Sequence, residues 1–112
     1  MKYFILLLFF VSCAQQPQVK LVEKNTFQEL MNQDVQLIDV RTPEEYSAGH
    51  IYKAQNIDFK APDFQEQISK LDKNKPVLIY CAAGGRSARA SVVFETLGFK
   101  KIFDLNGGYM AW

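Results

Sequence analysis

One cysteine followed by a run of small residues is the part of the sequence best suited to chemistry. In "YCAAGGRSARA", Cys81 ends an apolar run, and four small residues separate it from Arg86 and Ser87. A glycine-containing loop can direct successive backbone N–H groups at one centre, and a helix N-terminus adds positive potential there. With the arginine cation, these features favour a thiolate over a thiol. The stretch therefore predicts a reactive Cys81 with a lowered pKa rather than a small buried hydrophobe.

Strands and helices must alternate along the chain to position this cysteine. "VLIY", Val77–Tyr80, follows Pro76 and is apolar throughout, which predicts a central strand buried on both faces. A helix is predicted from about Ser87, and that serine has two interpretations, as the helix N-cap or as a group acting on the chemistry. Further strands are predicted at 19–23, 35–40, 54–58 and 101–105, and helices at 27–33 (capped by Asn25 or Thr26), after Thr42 and at 61–71.

This alternation predicts an α/β domain over residues 19–112, with a mostly parallel central sheet between helices, in three layers. In such sheets, ligands bind beyond the carboxyl ends of the strands. Cys81 falls at that end of the most hydrophobic strand. We therefore expect the sheet to present Cys81 at a ligand site.

The first residues have the composition of an export signal. Lys2 precedes an uncharged apolar run at 3–11, so residues 1–12 are predicted to be a signal peptide; a membrane span would need ~20 apolar residues. "FVSC" resembles the lipobox of bacterial lipoproteins, although Phe10 stands where leucine is usual. We expect Cys13 to be lipidated, residues 13–18 to form a tether, and the domain to be extracytoplasmic, on the periplasmic side of a bacterial membrane. Ordinary signal cleavage, which would release a soluble protein, is the alternative.

Composition narrows the classes of partner and cofactor. Removing Lys2 with the signal peptide leaves twelve basic and twelve acidic side chains, and this neutral balance argues against nucleic-acid binding. The chain has two cysteines and one histidine, too few for a Cys/His zinc site, so we expect no metal. Cys13 and Cys81 could form a disulfide in an oxidising compartment, but a lipidated Cys13 would leave Cys81 as the free thiol. We expect a monomer.

Four ordered motifs connect the sequence to a known family. They are "IDVRTPEEYSAGHI", "AQNID", "CAAGGRS" and "LNGGYMAW", spread over residues 35–112. In these motifs the chain resembles a single-domain rhodanese, a sulfurtransferase of the rhodanese-like superfamily. It departs from the family pattern after "GHI", where Tyr52 and Lys53 replace the usual proline and glycine.

The resemblance implies a role for each matching position. Cys81 would be the nucleophile and would carry a covalent persulfide, with no cofactor. Arg86 would bind or orient an anionic donor, such as thiosulfate or a polysulfide, and a thiol or cyanide-type acceptor would then remove the sulfur. The outer sulfur would be held by the backbone amides of Ala82, Ala83, Gly84, Gly85, Arg86 and Ser87.

The resemblance also places polar residues around this loop. Asp39, Arg41 and His50 are interpreted as structural support for the loop rather than as groups that touch substrate. Glu44 and Glu45 are interpreted in the same way. A thiolate with a low pKa does not need His50 as a general base.

Two other classes of function remain open. A phosphatase or arsenate reductase would also use a cysteine loop, although such loops typically hold five residues between cysteine and arginine, and here there are four. A thiol redox protein, or a non-catalytic rhodanese-like binding module, is the other alternative. A redox protein would need the same thiolate, so the motif alone does not separate it from sulfur transfer.

Overall fold

Strands and helices alternate along the chain in the computed structural model, which describes residues 18–112. The five strands of this part are β1 (Val19–Val22), β2 (Gln36–Asp39), β3 (Gln55–Asn56), β4 (Val77–Tyr80) and β5 (Ile102–Leu105). The four helices of residues 18–112 are α1 (Lys24–Met31), α2 (Pro43–Ala48), α3 (Phe64–Ser69) and α4 (Gly85–Thr96), followed by a 3-10 helix at Tyr109–Ala111. The predicted signal peptide, Cys13 and the tether up to Pro17 lie outside the described residues.

The strands form one parallel sheet in the order β1-β5-β4-β2-β3. The third strand in this order, β4, is buried along its whole length, as the apolar run "VLIY" predicted. Because β4 lies between β2 and β5, the residue that follows it emerges near the middle of the sheet's carboxyl edge. That residue is Cys81.

Helices cover both faces of the sheet, which confirms the predicted three-layer α/β architecture. On one face, Ile79 of β4 packs with Ile68 of α3 and Phe94 of α4. On the other, Leu78 packs with Phe27 of α1 and with the C-terminal residues. Successive residues of a strand point to opposite faces, so the Cys81 side chain lies on the same face as Ile79 and α4.

Two helix starts differ from the predicted ones. Helix α1 begins at Lys24, with Glu23 in the N-cap position, so Asn25 and Thr26 lie inside the helix and the prediction that one of them caps it was wrong. Helix α4 begins at Gly85, two residues before the predicted start at Ser87. In both cases a helix can begin without a side-chain cap because packing of its apolar face supplies most of its stability.

The start of α2 was predicted correctly. Thr42 Oγ1 accepts a hydrogen bond from the Glu45 N–H at 3.3 Å, and Glu45 Oε1 accepts one from the Thr42 N–H at 3.2 Å. This reciprocal capping box, with Pro43 in the first helical turn, fixes the position of the Glu45 carboxylate. No helix within residues 18–112 is both long and apolar enough to cross a membrane.

Candidate active site

Cys81 lies at the carboxyl end of β4, inside a ring of its own loop. The residue is 1% exposed. Its sulfur lies 3.0 Å from the Gly84 amide nitrogen, which donates to it, and 3.4 Å from Ser87 Oγ. The thiol itself donates to Ser87 Oγ, so the loop surrounds the buried sulfur with hydrogen-bond partners.

Gly84 provides the backbone conformation that closes this ring. Its φ of +116° is one that L side chains rarely adopt, and it lies at the N-cap position of α4. The Ala88 N–H donates to the Gly84 carbonyl at 3.0 Å, so the first turn of α4 begins directly after the loop. Gly85 is already helical, and only Gly84 of the two loop glycines has a positive φ.

Hydrogen bonds to the sulfur lower the pKa of the Cys81 thiol. Burial raises this pKa, but hydrogen bonds from the Ser87 hydroxyl and from the backbone amides of Ser87, Gly84 and Ala83 outweigh it. Donors that stabilise the charged form lower an acid's pKa. The shift has the direction that the loop's composition predicted, and it comes from amides and a hydroxyl more than from the Arg86 cation.

Ser87 does not cap α4, so that interpretation of the sequence was wrong. Gly84 occupies the N-cap position, and Ser87 lies inside the first turn, fully buried. Its hydroxyl donates to the Gly84 carbonyl at 3.2 Å and lies next to the Cys81 sulfur. Ser87 thus belongs to the ring around the sulfur because the helix starts two residues earlier than predicted.

Arg86 is paired with a carboxylate from a different part of the chain. Its two terminal nitrogens donate to the two carboxylate oxygens of Glu45 at 2.6 and 2.9 Å. The hydrogen bond from Arg86, helped by donors from Thr42, holds the pKa of Glu45 at about 2, well below its usual value. Their side chains are 17% and 33% exposed, respectively. The pair therefore ties the first turn of α4 to the start of α2.

Asp39 and Arg41 form a buried ion pair close to the loop. Arg41 donates to Asp39 Oδ2 at 2.7 Å and to the Gly49 carbonyl at 2.6 Å. The Arg41 guanidinium carbon lies 4.3 Å from the centre of the Tyr109 ring. Since the Tyr109 N–H donates to the Cys81 carbonyl at 2.7 Å, this ion pair reaches the loop through Tyr109.

The C-terminal turn holds the other side of the loop, a contact that was not predicted from the sequence. Besides Tyr109, the Met110 N–H donates to the Ala82 carbonyl at 2.9 Å. A Cβ atom at Gly108 would lie 2.5 Å from the Cys81 carbonyl oxygen and 2.6 Å from that of Ala82. The close approach is open only to glycine. The signal in the sequence was the pair of glycines in "LNGGYMAW".

His50 contacts α2 rather than the loop. Its ring stacks on that of Tyr46, with 3.7 Å between ring centres, and its Nδ1 lies 2.9 Å from the Tyr46 carbonyl oxygen. The residue is exposed. In the described part of the chain, no hydrogen bond joins His50 to the loop residues, so its local role is to fix the end of α2.

Comparison with known proteins places the chain in a family. The model of the family described as "Rhodanese-like domain" matches residues 23–112, which include all the elements described above except β1. The chain belongs to the rhodanese-like domain family.

The region that matches this chain makes up a different share of each rhodanese-like relative. Thiosulfate sulfurtransferase 16, a chloroplastic protein of Arabidopsis thaliana, is 39% identical over 85 residues, which are 67% of this chain and 71% of that protein. Rhodanese-like domain-containing protein 15, also chloroplastic and from Arabidopsis thaliana, is 37% identical, with 75% of this chain and 52% of that protein covered. A crystal structure of a rhodanese-related protein from Thermoplasma volcanium superimposes with a TM-score of 0.74 at 29% identity, covering 83% of this chain and 89% of the other.

In the described part of this rhodanese-like domain, the site combines one nucleophile, the Cys81 thiolate, with backbone amides that the loop holds in fixed positions. Within residues 18–112, no group of three histidine, cysteine or acidic side chains is placed to hold a metal ion. The chemistry that the described residues can perform is attack by a thiolate, with backbone amides stabilising negative charge on sulfur.

Proposed function

We propose that the protein is a sulfurtransferase that moves a sulfane sulfur through a persulfide on Cys81. The observation that carries the proposal is a buried sulfur that accepts the Gly84 amide at 3.0 Å, inside a loop whose donors lower the pKa of the Cys81 thiol. Membership of the rhodanese-like family supports it, as does the similarity to a relative named as a thiosulfate sulfurtransferase. The donor is proposed to be thiosulfate or a polysulfide-type anion.

The reaction has two balanced halves. In the first, the Cys81 thiolate attacks the outer sulfur of thiosulfate, the S–S bond of the donor breaks, and sulfite leaves with the bonding electron pair. In the second, a thiol or cyanide-type acceptor attacks the outer sulfur of the persulfide, and the Cys81 thiolate leaves. With cyanide the product is thiocyanate. Each half places negative charge on a sulfur inside the loop, where the amides and the start of α4 stabilise it.

Arg86 acts on this reaction mainly through the loop in our proposal. Its two terminal nitrogens already donate to Glu45, so the donor anion meets the loop amides rather than an unpaired guanidinium. Direct binding of the donor by Arg86 stays a prediction. It would require a donor that contacts the guanidinium while Glu45 remains paired with it, or that displaces Glu45.

A redox thiol is the second candidate, because the same lowered pKa would favour attack on a disulfide. The two functions differ in the mass that Cys81 gains. A sulfane donor adds one sulfur atom in sulfur transfer, whereas a redox role gives a mixed disulfide with a partner thiol. Turnover of an aryl phosphate by the pure protein would instead support the phosphatase alternative.

The activity test is cyanide-dependent production of thiocyanate from several sulfane donors. We expect wild-type protein to be active with at least one donor and Cys81→Ser to be inactive with all of them. A Cys81→Ser protein with wild-type activity would contradict the mechanism. The matched control is Ser69→Ala, a substitution at an exposed position in α3 that leaves the loop untouched.

The attachment to a membrane is a separate proposal that rests on the N-terminal sequence. We propose that Cys13 is lipidated after export and that the domain is a monomer held at a bacterial membrane surface on the periplasmic side. Lipid labelling of the full chain in a bacterial host tests this, with Cys13→Ser as the variant that should lose the label.

A further inference from the structure

A buried carboxyl group that the proposed reaction does not use lies behind the loop. Asp104 of β5 is 3% exposed, and its Oδ1 has no hydrogen-bond partner in the described part of the chain. A buried polar group without a partner lowers the stability of the folded protein, and such groups are therefore rare unless they have a role. The position of Asp104 in the sheet indicates a role in the cysteine site.

The register of the sheet places Asp104 on the face that carries the sulfur. Asp104 pairs with Ile79 of β4, and paired residues of adjacent parallel strands share a face. Ile79 and Cys81 point to that same face, beneath α4. The Asp104 carboxyl therefore lies one strand away from the cysteine and under the helix that begins at the loop.

Ser87 is the group that can link the carboxyl to the sulfur. Helix α4 packs on β5, the Ser87 hydroxyl in its first turn lowers the pKa of Asp104, and Asp104 Oδ1 is free, among the described residues, to accept a hydrogen bond. Ser87 Oγ in turn lies 3.4 Å from the Cys81 sulfur and 3.2 Å from the Gly84 carbonyl oxygen. The Ser87 hydroxyl has one proton, which points to the Gly84 carbonyl in the structure, so the Cys81 thiolate and the Asp104 carboxylate, unpartnered within residues 18–112, compete for it as alternative acceptors.

We propose that Asp104 is a positioning residue for Cys81, which decides through Ser87 how strongly the Cys81 thiolate is stabilised. When Asp104 is ionised, its carboxylate accepts a hydrogen bond from the Ser87 hydroxyl, and the hydroxyl proton then points away from the sulfur. Protonated Asp104 donates to Ser87 Oγ and leaves the Ser87 proton for the sulfur. The proposal rests on the proposed function only in treating the Cys81 thiolate as the reacting group.

The surroundings of Asp104 place this change close to neutral pH. Burial raises the pKa of Asp104 to about 6, and the Ser87 hydroxyl lowers it only in part. Its partners in the two neighbouring strands are the aliphatic Ile79 on β4 and Leu21 on β1, and the Ser87 hydroxyl on α4 is the polar group that acts on it. No charged side chain of residues 18–112 contributes to its shift. Above pH of about 6, the ionised carboxylate should oppose formation of the Cys81 thiolate.

The test measures the ionisation of Cys81 without any sulfur donor. The ultraviolet absorbance of the thiolate is followed against pH, with Cys81→Ser protein as the baseline. We expect Asp104→Asn, whose amide can donate to Ser87 as the protonated acid does, to lower the thiol pKa of Cys81. We expect about a tenfold larger ratio of thiolate to thiol at a fixed pH, which is one pKa unit, and loss of the inflection near pH 6.

A double-mutant cycle separates this role from general damage to the fold. In a Ser87→Ala background, Asp104→Asn should change the thiol pKa much less, because the connection is missing. The matched control is Asp34→Asn, the same change at a carboxylate that is 82% exposed and precedes β2, and it should leave the profile unchanged. If Asp104→Asn does not fold, Asp104→Ser, a smaller neutral residue, answers the same question.

An unchanged thiolate profile in the folded Asp104 variant, or an equal shift with and without Ser87, would overturn the proposal. Mass spectrometry of wild-type protein after exposure to thiosulfate is run in parallel. A persulfide with no effect of Asp104 rejects the positioning role alone. A pKa shift without any persulfide rejects the proposed sulfur transfer and leaves the positioning role standing.

Discussion

Replacing Gly108 with alanine should disturb the loop without touching any group that reacts. Gly108 has φ of +62° and ψ of −158°, a region of backbone conformation that is almost restricted to glycine. A Cβ atom there would lie 2.5 Å from the Cys81 carbonyl oxygen, which belongs to backbone and cannot rotate away. Either the C-terminal turn or the loop must move.

The structure sets the size of the effect. Adopting the glycine-only conformation costs about 1–3 kcal/mol. Moving the turn also weakens the hydrogen bonds from Tyr109 to Cys81 and from Met110 to Ala82, each worth about 1 kcal/mol. We expect Gly108→Ala to lower the free energy of unfolding by about 3–5 kcal/mol, and to lower kcat/KM at least tenfold because the amides around the sulfur shift.

Urea unfolding and cyanide-dependent thiocyanate production measure the two effects. Gly98→Ala is the matched control, because Gly98 also has a positive φ, +93°, but an added Cβ there meets nothing within 4 Å. Gly98→Ala should lower the free energy of unfolding through backbone strain alone, and the folded fraction of this variant should keep the wild-type kcat/KM. The account of the loop is refuted if Gly108→Ala loses stability to the same small extent as Gly98→Ala and keeps full kcat/KM.

Two further predictions concern buried or paired carboxylates and are measured by urea unfolding across pH. The folded-state pKa of Asp104, about 6, lies above the ordinary value of 3.8, so wild-type protein should lose up to about 3 kcal/mol as pH rises from about 4 through 6. Asp104→Asn should remove this loss, and a stability difference between variant and wild type that is the same at pH 4 and pH 8 would contradict it. The folded-state pKa of Glu45, about 2, lies below the ordinary value of 4.5, so its contribution to stability is present above pH 4.5 and lost as pH falls towards about 2. Because the pair is partly exposed, we expect Glu45→Gln to cost only about 1 kcal/mol at pH 7, with the gap closing in acid; a gap that widens in acid would refute the pairing.

The elements with strong local signals were predicted from the sequence. The apolar run of β4 and the start of α2 after Thr42 are each determined by neighbouring residues, and the structure has them as predicted. The exact start of α4 was missed because Ser87 is a good N-cap by type, whereas a glycine loop closed around the sulfur decides where the helix begins.

Contacts between distant parts of the chain could not be predicted in this way. The ion pair between Glu45 and Arg86 joins residues 41 positions apart, and nothing in either local pattern indicates it. An aspartate in a strand is expected to face water, and Asp104 is buried only because α4 covers that face of β5. The position of the reacting cysteine came from a local motif, and its surroundings came from tertiary packing.

The mass of the Cys81 peptide after exposure to a sulfane donor tests the central claim most directly. Wild-type protein is incubated with thiosulfate or a polysulfide, freed of donor and analysed before and after addition of cyanide. The account predicts a gain of one sulfur atom on Cys81 that disappears with release of thiocyanate, and no gain in Cys81→Ser. Failure of every donor to add sulfur to folded protein with an intact Cys81 thiolate would contradict it.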